Sequence, residues 1–141
     1  MGVFYNDPFE AIDLIFHKLY PDKKYFVVLC GGITKGHETL VGHCQPHING
    51  TWLGYEGDYW VISLSMDVKA NDLIAVLIHE LSHIIGDGHD QLFEETAKLI
   101  LSKYSNLSLL VIFANFASIL FLMALVISTH LQRNLLVSIK P

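Results

Sequence analysis

The sequence predicts an α+β fold followed by one C-terminal transmembrane helix, and three observations carry that expectation. Two stretches, from Phe9 and from Asp72, repeat their apolar residues at helical intervals. The segments between them alternate in polarity or run through β-branched and aromatic residues. Residues 107–128 are uncharged and almost wholly apolar. The expected order is an N-terminal helix, a small and mostly antiparallel sheet, a helix bearing a histidine-rich motif, a closing helix, and the span. Residues 1–105 are expected to form the folded domain, 106–129 the transmembrane helix and 130–141 a short tail.

Each element has a local reason. Asp7-Pro8 offers a cap and a first-turn proline, after which Phe9, Ile12, Ile15, Phe16 and Leu19 keep helical spacing. Pro21-Asp22 turns the chain into KYFVVLC, a short apolar strand ended by Gly31-Gly32. ETLVGHCQ and HINGTWLGYEG are weaker strands with glycine-rich turns, whereas DYWVISLSM alternates well. Asn71 is the expected N-cap of DLIAVLIHELSHII, and Gly86 is where the chain should leave that helix. Ile74, Leu77, Ile78, Leu81, Ile84 and Ile85 form its apolar arc. His79 and His83 fall on the other side, one turn apart, flanked by the small Ala75 and Ser82.

The last element is set by length and charge. A helix over the 22 residues from Leu107 to Ser128 extends about 33 Å, matching a hydrocarbon core of about 30 Å. No charged side chain occurs between Lys103 and Arg133. Lys98 and Lys103 on one side balance Arg133 and Lys140 on the other, so positive charge gives little orientation. The N-terminus carries no basic stretch followed by an apolar run, which favours a tail-anchor-like arrangement with the front domain in the cytosol. The sequons at Asn49 and Asn106 matter only for a lumenal domain.

Composition removes some functions. All fourteen acidic residues precede Ser105, against seven lysines in the same stretch, a net charge of −7 with histidine neutral. No basic stripe is present for a nucleic-acid backbone, so no nucleic-acid partner is expected. Cys30 and Cys44 are too few for a disulfide framework and read as buried thiols, with a single bridge as the alternative in an oxidising space.

HELSHIIGDGH, from His79 to His89, carries the chemistry. Imidazoles at i and i+4 of a helix reach one Zn²⁺ at about 2.0–2.1 Å without distorting it. Glu80 lies about 60° around the helix from His83, beside such a metal, where a general base belongs. His89 is the expected third ligand, because Gly86 and Gly88 give the backbone freedom to turn sharply. Glu94 and Glu95, early in the next helix, are the alternatives. Three protein ligands leave a fourth position open, where a water has its pKa lowered to about 7. This chain's composition yields the full pattern in roughly one of ten thousand shuffled sequences, so chance is a poor account of it.

The motif resembles the HExxHxxGxxH pattern of zincin metallopeptidases. Metzincins share that extended form but carry a Met-containing turn downstream, and the only methionine beyond His89 is Met123, inside the apolar run. The chain is more similar to minimal zincins of the SprT and WLM type, over about Asp58 to Tyr104. GHDQLFEETAKLIL is similar to their segment after the third histidine, where a small acidic or polar residue and a Phe begin the closing helix. The resemblance implies a minimal zincin-like domain that hydrolyses peptide bonds, with His79, His83 and His89 on one zinc and Glu80 as base. It also implies a sheet edge that pairs with an extended peptide or protein substrate; in that family the strand before the active-site helix, here DYWVISLSM, often forms it, and the sequence does not decide which strand does so in this chain.

Other candidates have weaker grounds. His43 and His47, with Cys44 between them, are placed in a turn and given a surface or substrate-side role rather than a metal. His17 and His37 read as solvated, and Tyr55, Tyr59 and Tyr104 are the candidates for stabilising an oxyanion. Two function classes follow. One is a membrane-anchored zinc peptidase; the other is a non-catalytic zinc-binding interaction module on a membrane, and the presence of Glu80 favours the first.

Overall fold

Asp7 caps the first helix, α1 (Pro8–Leu19): its carboxylate accepts the Phe9 N–H at 2.9 Å, and Pro8 takes the first-turn position that needs no donor. The structure is a computed structural model in which residues 7–35 and 38–138 are described, the side chains of 38–39, 71, 109–116, 118 and 126–138 excepted. The elements that follow are β1 (Tyr25–Cys30), β2 (Ile33–Lys35), β3 (Glu38–Leu40), β4 (Gly42–Trp52), β5 (Tyr55–Ser65), α2 (Ala70–Ser82) and α3 (Gln91–Ser138). This is the α+β class expected. His37 and the N-terminal residues 1–6 lie outside the described residues.

The main sheet has the order β1-β5-β4, with β1 parallel to β5 and β4 antiparallel to it; β2 and β3 form a separate antiparallel pair. The strand DYWVISLSM, most of β5, is therefore central and flanked on both sides, and β1 and β4 are the edges of the sheet. Alternation explains what β4 offers. Val41 O accepts the Ser65 N–H, so from Gly42 to His47 the odd-numbered residues of β4 bond to β5 and the even-numbered ones face away. Gly42 and Cys44 thus turn both backbone groups outward, and Pro46, which has no N–H, sits where none is missed.

The two weaker strands are divided differently: Glu38–Leu40 of the first is β3, and its remainder continues into the second as β4. β4 runs through Pro46 and absorbs a register shift between His47 and Gly50, where Asn49 takes φ 51° and its N–H is held by the Asp58 carboxylate at 2.8 Å. His43, Cys44 and His47 consequently lie in a strand and not in a turn. Leu53 and Gly54 join β4 to β5 with φ values of 46° and 82°, the left-handed pair that a two-residue hairpin turn requires.

α2 corrects two local expectations. It starts at Ala70, one residue before the expected cap, with Lys69 at the N-cap and no side-chain cap bond. It ends at Ser82, where the bonds tighten to i→i+3 from His83, Ile84 and Ile85. Leu77, Ile78, Leu81 and Ile84 are buried as the apolar arc predicts. They share one core with Ile12 and Phe16 of α1, Tyr25, Ile62 and Leu64 of the sheet, and Ile100 of α3. Ser82 is also fully buried, its hydroxyl donating to Ile78 O at 2.7 Å, so it faces the core and does not flank the histidines.

The chain divides into two compact units, Met1–Tyr104 and Ser105–Pro141. The expected span, 106–129, falls within the bounds of α3. Most of its side chains lie outside the described residues, and among the described residues no helix is long and apolar enough to cross a membrane.

Leu53 is 90% exposed and holds a backbone conformation that costs a branched L-residue about 1–2 kcal/mol. Leu53→Asn, which tolerates that conformation, is expected to stabilise the chain by about 1 kcal/mol. Urea unfolding of the two proteins measures this directly.

Candidate metal centre

Burying the Leu77 face of α2 turns His79 and His83 outward, one turn apart. The i→i+3 turn after Ser82 carries the chain to Gly88, whose φ of +59° redirects it, and His89 returns to the same place. His79 Nε2 lies 3.2 Å from His83 Nε2 and 3.3 Å from His89 Nε2. The three ligand atoms all fall within 4.8 Å of one another, a cluster that could hold a metal ion. Glu94 and Glu95 take no part: Glu94 lies 3.7 Å from Lys98 and Glu95 accepts from Gln91 at 2.6 Å.

The electrostatics suit ligation. Partial burial, and then the neighbouring His89, hold the His79 pKa below its ordinary value. Burial also lowers that of His83, helped by His79 and His89 and opposed by a hydrogen bond with the Gly88 backbone. Both shifts favour the neutral ring, the state in which imidazole offers a lone pair. Glu80, on the same helix, points to the sheet. It is only 5% exposed, and burial pushes its carboxyl up to about 7.

The place of Glu80 depends on a missing side chain. A Cβ on Gly42 would stand 2.6 Å from Glu80 Oε1 and 2.7 Å from Val76 Cγ1, so glycine alone lets the start of β4 pass over this turn of α2. Glu80, the three histidines and the outward edge of β4 at Gly42 thus line one open cavity of about 650 Å³.

Gly86 works differently from the sequence expectation. Unlike Gly88 it has no left-handed φ; what it supplies is space, since a Cβ there would lie 2.3 Å from Phe93 N and 2.7 Å from Asp90 Oδ1. Asp90 in turn caps α3, its Oδ1 accepting the Phe93 N–H at 2.8 Å. The family resemblance puts a small acidic or polar residue and a Phe at the start of this helix; the structure adds the contacts that Asp90 and Phe93 make with the turn.

The remaining candidates separate. His43 lines the cavity, and its charge adds to the lowering at His83, but it stands outside the three-histidine cluster. His47 stacks on Tyr59 at 5.0 Å, and His17 on Tyr25 at 5.3 Å with Asp13 beside it. Tyr59 and Tyr55 donate to Thr51 O and Asp58 O at the hairpin end of the sheet, and Tyr104 packs on the core; none of the three lines the cavity. Both cysteines are free thiols. Cys44 is pushed up to about 12 by burial first and by the neighbouring Glu80 charge second.

No family model, curated protein or solved structure matches this chain.

Two outcomes follow from these contacts. Gly86→Ala should destabilise the chain by about 1–3 kcal/mol, because the clash is with backbone that cannot swing away; urea unfolding measures it. Cys44 should remain a thiol at pH 8 and react with iodoacetamide more than about tenfold more slowly than free cysteine. With an ordinary thiol near 8.5, the unfolded chain loses this proton first, so stability falls as pH rises from about 9 to 12. Mass-resolved alkylation and alkaline unfolding curves check the two statements.

Proposed function

We propose that the chain is a zinc-dependent peptidase tethered to a membrane, with His79, His83 and His89 as metal ligands and Glu80 as general base. The observation that carries this reading is the convergence of three imidazole nitrogens beside a buried carboxyl on one helix turn. Four-coordinate zinc with bonds of about 2.0–2.1 Å places its ligand atoms about 3.3 Å apart. The 3.2 and 3.3 Å separations at His79 fit that spacing, and imidazole in its neutral form supplies the required donors. Three protein donors in an open cleft leave room for a substrate, as catalytic zinc sites require and structural ones do not.

When bound, zinc supplies Lewis-acid polarisation of a carbonyl and a water acidic enough to ionise near neutrality. Glu80 would accept a proton from the attacking water at its carboxylate and return it to the departing amine, while the water oxygen bonds to the carbonyl carbon and the C–N bond breaks. The outward N–H and C=O groups of Gly42 and Cys44 can hold an extended peptide by strand addition along the cleft, and Pro46 ends that run of donors. The membrane tether rests on the uncharged run 107–128, which has the length and composition of a span.

Elemental analysis of the purified full chain should find about one zinc per molecule, lost on His83→Ala. Glu80→Gln should keep the zinc and lower cleavage of fluorescein-labelled casein by roughly a hundredfold or more. Undiminished cleavage by the Gln variant would remove Glu80 from the mechanism, and a metal-free native chain would remove the centre.

A further inference from the structure

Behind the three histidines lies a fourth ring. Phe93, in the first turn of α3, is only 7% exposed, and its centroid stands 5.0 Å from His79, 4.6 Å from His83 and 4.8 Å from His89. The three imidazole centroids are themselves 4.9, 5.1 and 5.0 Å apart. Each ring therefore touches the other three, as at the corners of a tetrahedron. The phenyl ring packs against all three imidazoles at once.

Such an arrangement answers a specific need. The terminal torsion of histidine is broad, so its rotamer alone does not aim the ring. Metal-ligating histidines are usually aimed by a hydrogen bond from the second ring nitrogen to a carboxylate or carbonyl. For His83 the neighbouring Gly88 backbone works against the lowering of its pKa. Among the described residues, the hydrogen-bond-range contacts of His79 and His89 are only the approaches of ring nitrogen to ring nitrogen. An apolar ring in van der Waals contact with both is what remains to orient them.

Phe93 is itself fixed from two sides. Asp90 accepts its N–H and also lies 3.3 Å from the Asp87 N–H, tying the turn to the start of α3. Gly86 lets the Phe93 backbone come close enough for its ring to reach under the turn. The small residue, the cap and the aromatic ring thus form one device.

We propose that Phe93 is a positioning residue of this centre: its ring is the floor that aims His79 and His89, so metal affinity and coordination geometry depend on it. The proposal rests on the metal-centre reading above. It also accounts for residues that reading leaves without a purpose, namely Gly86, Asp90 and Phe93.

The test uses the full chain in detergent micelles, with zinc affinity measured by competition against a chromophoric chelator. The visible spectrum of the cobalt-loaded protein reports geometry. Phe93→Leu keeps an apolar side chain for folding but removes the ring, and should weaken zinc binding by roughly 10–100-fold and shift the cobalt bands. Phe93→Tyr keeps the ring and should restore both. If the Leu variant binds zinc as tightly as the native chain with an unchanged cobalt spectrum, Phe93 is core packing alone and the proposal is overturned. A native chain that takes up no zinc would instead overturn the centre itself, and the role of Phe93 with it.

Discussion

Leu77, Ile78, Leu81 and Ile84 hold one face of α2 in a core shared with Ile62 and Leu64 of the sheet, and each residue of a helix advances about 100°. Once that face is buried, the direction of every other side chain on the helix is settled. His79 and His83 must face out, stacked one turn apart. Glu80 must turn towards the sheet, where water is scarce. Apolar burial is non-directional by itself, but on a rigid helix it becomes a means of aiming polar groups.

The aim is useful only because backbone comes close at two places. At Gly42 a strand passes over α2 with no room for a Cβ, and this closes water away from Glu80 and raises its carboxyl. At Gly86 the turn touches the first residues of α3 in the same way. In both cases glycine serves by lacking a side chain, not by adopting a special φ. Of Gly42, Gly86 and Gly88, only the last has a conformational role, with its left-handed φ.

The sheet contributes an edge. With β5 in the centre, the outward groups of β4 at Gly42 and Cys44 lie beside Glu80 and the histidines, while Pro46 cuts short the row of free donors. An unprotected edge invites pairing between copies, and a proline beyond the first few residues limits that hazard while leaving the part next to the cleft open. The hairpin end of the sheet is taken up by the Phe26, Trp52, Tyr55 and Tyr59 rings, which explains why its tyrosines are remote from the cavity.

The sequence by itself determined what local chemistry can determine. Asp7-Pro8 started α1, the apolar arc of α2 announced which face would be buried, and the spacing of His79, Glu80 and His83 placed two imidazoles and a carboxyl on one turn. These depend on neighbours within a few residues, where helical periodicity and capping act directly. Tertiary structure decided the rest. It brought His89 to the pair while Glu94 and Glu95 found other partners, made β5 central and β4 an edge, and put Phe93 behind the three rings. Each of these depends on which distant segments meet, and a strand carries the same alternating pattern whether it lies inside a sheet or at its edge. A histidine after a glycine turn likewise reads the same whether the turn folds back or runs on, until Phe93 packs against the rings and Gly86 leaves it the space to do so.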